Sequence, residues 1–252
     1  MVDFARLDRA TLEVMATAGG EVTECQRMLA SGGNTPVSEA LGGAPGAVEW
    51  NHYPPGDVYD PLSHAQYFYH LHPTAQRALG EHGHFHVFLR PRGMPLGTRP
   101  LIMPELAIAD APAAPPAPQP NQGADNDEFS HLAAIAMDAA GEPVRLFTTN
   151  RWVTGETWYA AADVAAMLDR FIIDLPRPSL TLNRWITALF ALFRPQLIEL
   201  VHARDRAVMS FRRRRRGKVH VFEDRRLEVT STADIDVDDQ IRRVALALKQ
   251  VA

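Results

Sequence analysis

Between His82 and Phe88 the chain reads HGHFHVF, with an imidazole at every second position. If this stretch is extended, His82, His84 and His86 share one face, because successive side chains of a strand point to opposite sides. Same-face neighbours lie ~6.6 Å apart at Cα, so two imidazoles can converge on one ion at Zn–N distances of ~2.0–2.1 Å. The outer pair, His82 and His86, would need a strong bend. A metal is therefore expected to take two adjacent members, with His84 and His86 preferred because His82 sits close to Gly80 at the strand start. Seven of the ten histidines fall between residues 52 and 86, so His64 or His52 is expected to complete the set, with Glu81 or Asp57 as a carboxylate. Neutral nitrogen donors suit Zn²⁺ or Fe²⁺ better than the oxygen-seeking Ca²⁺ or Mg²⁺. An open coordination position would acidify a bound water or hold a substrate oxygen. Tyr67 and Arg151 are the candidates for positioning that substrate, Arg151 through its capacity to pair an anion bidentately.

These residues need elements to hold them. HGHFHVFLR reads as a strand after Gly80. The segment before it, YDPLSHAQYFYHLHP, carries helix signals: Asp60 as N-cap, Pro61 at the first position and Pro73 as terminator. That helix would put His64, Tyr67, Phe68 and Leu71 on one face. Apolar residues recur at helical spacing from Phe4 to Ala30, with Gly19-Gly20 expected to divide two helices. LIMPELAIA, Leu101 to Ala109, reads as an edge strand because of Pro104. HLAAIAMDAAGEPVRLFTT predicts a hairpin turning at Ala139 to Glu142. Helices follow over AAADVAAMLDRF, over RWITALFALFRPQLIELVHARDRAV with a break at Pro195, and over VDDQIRRVALALKQV with Asp236 as cap. Strands and helices are segregated, so the expected fold is α+β, a small, mainly antiparallel sheet packed against N- and C-terminal helices. Residues 1–252 are expected to form a single domain. Asp110 to Glu128 has five prolines and no large apolar side chain, and is expected to be an exposed loop.

Composition narrows the function classes. A net charge of −4 does not call for nucleic acid or an anionic membrane. The basic run Arg212–Arg216 continues to Lys218, but acids follow in EDRRLE, and a solvated turn after a long helix is expected. No apolar run approaches the ~20 residues that span a bilayer. The lone Cys25 excludes an intrachain disulfide and is expected to be a small core residue. The charged N-terminus MVDFARLDRATLE lacks a signal-peptide core, so a soluble cytoplasmic protein is expected. No phosphate-binding Gly-rich loop, dinucleotide fingerprint or helical His-Glu-x-x-His motif is present. The expected partner is a small-molecule substrate, with no membrane and no nucleic acid.

Two resemblances bear on function. The run His82-Gly83-His84-Phe85-His86-Val87-Phe88 resembles the histidine-triad pattern over about ten residues, with glycine where that pattern has an apolar residue. The resemblance implies a nucleotide hydrolase or transferase with His84 as nucleophile and no required metal. The cupin pattern fails, because no glutamate follows the histidines at its spacing. HYPPGDVYD, EHGHFHVFLR, SHLAAIAMD and LFTTNRWVTGETWY look similar to an uncharacterised bacterial family of unknown function. That likeness implies no mechanism, only that both sides of the Pro-rich stretch form one functional unit. The sequence thus predicts a metal-binding protein, a Zn- or Fe-dependent enzyme at most. A histidine-triad enzyme and a non-enzymatic interaction protein are the alternatives.

Overall fold

The computed structural model describes residues 2–43, 47–78, 80–101, 128–215 and 220–251. Six strands form one sheet whose spatial order is the chain order: β1 (Tyr53–Tyr59), β2 (Ala65–His70), β3 (Gly83–Leu89), β4 (Ser130–Met137), β5 (Pro143–Thr149) and β6 (Val229–Asp234). Every neighbouring pair is antiparallel. The helices are α1 (Arg9–Ser31), α2 (Pro36–Leu41), α3 (Arg151–Thr154), α4 (Ala161–Met167), α5 (Leu180–Leu192), α6 (Arg194–Arg214) and α7 (Val237–Gln250). Short connections join β1 to β2 and β4 to β5, whereas residues 90–129 separate β3 from β4 and residues 150–228, which include α3 to α6, separate β5 from β6. This is the α+β architecture that the segregation of elements predicts.

Alternation along the strands divides the sheet into two unlike faces. Tyr67, Tyr69, Phe85, Val87, Ile135 and Leu146 join one large apolar core with residues of α1, α5 and α7. Trp185 on α5 is fully buried there, its ring 6.0 Å from Phe85. The opposite face carries Phe68, His70, His84, His86, Ala134, Ala136 and Phe147. One face is a hydrophobic support for the helices. The other presents imidazoles.

Helix boundaries follow local chemistry. Asp8 accepts from the Thr11 amide at the start of α1, and Asp236 accepts from the Asp239 amide at the start of α7, which confirms that cap. The expected division at Gly19-Gly20 does not occur. α1 runs through both glycines, because Gly19 is where α7 packs: a β-carbon there would lie 2.8 Å from Ile241 Cγ1. Close helix approach, not helix termination, is the use of this glycine. The break at Pro195 does occur, with α5 and α6 meeting at a 71° bend. No single helix among the described residues is long and apolar enough to cross a membrane. Cys25 is buried on α1, and burial pushes its thiol up to about 12, as suits an inert core residue.

The helix expected over YDPLSHAQYFYHLHP is replaced by a turn and a strand. The cap chemistry is real, since Asp60 Oδ1 accepts from the amides of Leu62 and Ser63. His64 then takes φ +61°, which ends the turn, and the aromatic-rich Ala65–His70 runs on as β2. The two edge strands, β1 and β6, were not expected. Pro54 and Pro55 fit an edge position in β1, where the missing amide donors cost no ladder bond. The expected strand over Leu101 to Ala109 and the loop over Asp110 to Glu128 fall almost wholly outside the described residues.

Candidate metal centre

β2 and β3 pair so that His70 faces His84 directly. Cross-strand partners bring their Cβ atoms within about 5 Å, close enough for the rings to meet. The His70 and His84 Nε2 atoms lie 2.7 Å apart. His72, just past the end of β2, has its ring centroid 4.9 Å from that of His70 and 5.0 Å from that of His84. One ligand nitrogen from each of His70, His72 and His84 lies within 4.8 Å of the other two, a group that could hold a metal ion. Trp50 tilts over His72 with centroids 4.4 Å apart and restricts the ring.

A supporting layer fixes the orientation. His84 Nδ1 lies 2.7 Å from Glu81 Oε1, and the Arg145 guanidinium donates to Glu81 Oε2 at 2.9 Å. With Nδ1–H donated to this carboxylate, His84 presents its Nε2 lone pair to the cluster, the arrangement that metal-ligating histidines use. Burial would raise the Glu81 pKa, but the hydrogen bond from His84, together with the Arg145 guanidinium, outweighs it and holds the carboxyl low. Glu81→Gln is expected to weaken metal affinity 10- to 100-fold without unfolding the chain, read by chelator competition alongside circular dichroism.

Burial also keeps His70, His72 and His86 neutral. Desolvation, reinforced by neighbouring histidines, depresses His70 and His86 far below the usual range, and lowers His72 to about 4. Neutral imidazoles have the free lone pair that ligation requires. His84 and His86 open onto a cavity of about 290 Å³, which His72, Glu81, Arg145 and Phe147 also line. A larger groove of about 1020 Å³ lies between α6, β6 and α7, lined by mixed charges including Arg206, Asp236 and Arg243. The histidine cluster does not open onto it.

Other expected site residues are distributed unevenly. His86 lies beside the cluster, its ring 4.8 Å from that of His84, but its Nδ1 is 3.0 Å from His131 Nε2 on β4. His52 stacks on Phe68 at 3.6 Å, pairs with Asp57 at 2.9 Å, and stands 6.0 Å from the His70 ring. His64 is tied to the Tyr59 hydroxyl at 2.6 Å, and His82 to the Tyr69 hydroxyl at 2.7 Å. Neither belongs to the three-histidine group. Tyr67 lies on the helix-covered face, where its hydroxyl donates to Asn183 at 2.6 Å. Arg151 is ion-paired with Glu223 and is not among the cavity residues. His70 and His72 as candidate ligands, and Arg145 as the partner of Glu81, were not among the residues expected from the sequence. The period-two pattern Gln66, Phe68, His70, His72 was the available signal.

The family model described as "Domain of unknown function (DUF6969)" matches residues 16–235. The chain belongs to this family. No curated protein and no solved structure matches the chain. The matched DUF6969 span holds His70, His72, His84 and their supports Glu81 and Arg145.

A buried carboxylate lies behind this face. Glu156 Oε2 accepts from the His131 amide at 2.8 Å, and burial pushes the carboxyl up to about 7 against the opposing pull of Arg204. A folded-state pKa above the unfolded value of about 4.3 stabilises the fold below that value, and the contribution is lost as pH rises through 7. Glu156→Gln cannot ionise. Its stability relative to wild type is therefore expected to rise by roughly 3 kcal/mol between pH 4.5 and pH 8, measured by urea unfolding at both ends.

Proposed function

We propose that this protein binds one Zn²⁺ or Fe²⁺ ion through His70, His72 and His84, and that the ion serves chemistry on a small molecule entering the adjoining cavity. The supporting observation is the convergence of three imidazole nitrogens within 4.8 Å of one another. Their all-nitrogen character argues against Ca²⁺ and Mg²⁺. Three protein ligands leave a coordination position free, and an ion so held would supply Lewis acidity or a bound water of lowered pKa. The chain's own part is to keep His70 and His72 neutral, orient His84 through Glu81, and shape a cavity beside them.

The histidine-triad alternative fits less well. A nucleophilic His84 could be oriented by Glu81, but its Nε2 is already engaged by His70 at 2.7 Å. Among the described residues lining the cavity, Arg145 is the sole Lys or Arg, and it is shared with Glu81. The cavity, at about 290 Å³, falls just below the ~300–1,000 Å³ of sites that take drug-sized ligands, which favours an occupant smaller than a nucleotide.

The deciding experiment is elemental analysis of protein purified without a histidine tag, followed by Zn²⁺ and Fe²⁺ titration of the chelator-stripped chain. Near-stoichiometric binding supports the proposal. Failure to bind either ion above millimolar concentration overturns it and leaves the interaction-protein alternative.

A further inference from the structure

The cavity has walls that metal binding alone does not use. Arg145 projects from β5 on the imidazole face, in register with Ala136. Among the described residues it bonds only Glu81, through one nitrogen at 2.9 Å. A guanidinium offers five N–H donors in a planar fork, so the remainder are available to a second acceptor. Phe147, Val153 and Val229 supply an apolar wall to the same cavity.

Charge and size narrow the occupant. With a divalent ion in place, the ion and Arg145 outweigh Glu81 and Glu228, the acidic residues lining the cavity, by one positive charge. A monoanion would neutralise that excess in a partly desolvated setting, where charge pairing is stronger than in water. The volume of about 290 Å³ lies at the low end of the ~300–1,000 Å³ typical of small-molecule sites, which suits a small occupant.

We infer that the cavity binds a small apolar monocarboxylate, its carboxylate on Arg145 and its hydrocarbon part against Phe147, Val153 and Val229. The inference rests on the metal reading for the charge excess. It deepens that reading by naming the substrate class.

The test uses the full chain loaded with Co²⁺, whose visible absorption reports site occupancy, and two matched probes, 3-phenylpropionate and 3-phenylpropionamide. Calorimetry is expected to show the acid binding at least tenfold more tightly than the amide. Arg145→Gln is expected to remove that preference, and Val229→Trp to weaken the acid at least tenfold with Co²⁺ retained. If Co²⁺ binds but acid and amide are equivalent, or Arg145→Gln keeps the preference, the carboxylate inference is overturned while the metal reading stands. If no Co²⁺ spectrum forms, the metal reading fails and takes this inference with it.

Discussion

The double substitution His70→Ala/His84→Ala is expected to reduce bound metal from about one ion per chain to below a tenth, and to abolish stabilisation by Zn²⁺. The two Nε2 atoms lie 2.7 Å apart. Two nitrogens at ~2.05 Å from one tetrahedral or octahedral ion would be separated by about 2.9–3.3 Å, so this pair needs only a few tenths of an ångström of opening, while the His72 nitrogen, within 4.8 Å of the others, must swing inward to complete the set. In the metal-free pair one ring must donate to the other. Because His84 donates Nδ1–H to Glu81, the Nε2 proton belongs to His70, and loading shifts it to the other nitrogen of that ring. Wild type at a free Zn²⁺ concentration 100-fold above Kd gains ~2.7 kcal/mol, equivalent to a Tm rise of roughly 5–10 °C for a chain of this size. The double variant should show no rise. An unchanged Zn²⁺-dependent Tm shift and metal content in that variant would relocate the ion elsewhere.

What could be read from the sequence depended on choosing the right period. β3 was legible because three histidines alternate with Gly83, Phe85 and Val87, a pattern that only an extended backbone segregates. The β4–β5 hairpin, the cap of α7 and the bend at Pro195 likewise rest on short-range chemistry that tertiary packing did not override. The segment before β3 failed because Asp60 and Pro61 are good helix-start residues whose cap serves a turn instead. A helical period groups His64 with Tyr67, whereas an extended one groups His70 with Phe68 and leaves Tyr67 on the core side. One wrong period therefore selected His64 and Tyr67 and passed over His70 and His72. Arg151 was attractive as an anion-binding loop residue, but its ion pair with Glu223, more than seventy residues away in sequence, had no local signature. Gly19 and Arg145 carry the same lesson, since each takes its role from a partner, Ile241 or Glu81, that only the fold supplies.

Gly83→Ala is expected to damage both the sheet and the site, although it adds one methyl group. Gly83 occupies the place where the histidine-triad pattern has an apolar side chain, and the packing explains why glycine is required here. A β-carbon would lie 2.5 Å from the Tyr69 hydroxyl oxygen and 2.6 Å from the His70 carbonyl oxygen. The hydroxyl could swing aside only by giving up its 2.7 Å contact with His82. The carbonyl belongs to the backbone of His70, a proposed ligand, and moves only if the end of β2 moves. Overpacking of this kind costs about 1–3 kcal/mol. Displacement of His70 relative to His84 should also weaken Zn²⁺ binding by at least tenfold, because ligation tolerates only small departures from ideal donor distances. Two measurements separate the effects: urea unfolding of the metal-free variant gives the sheet cost, and chelator competition on the folded variant gives the site cost. Loss of affinity without loss of metal-free stability would mean that β2 shifts cheaply. Loss of stability with unchanged affinity would place the ion away from His70.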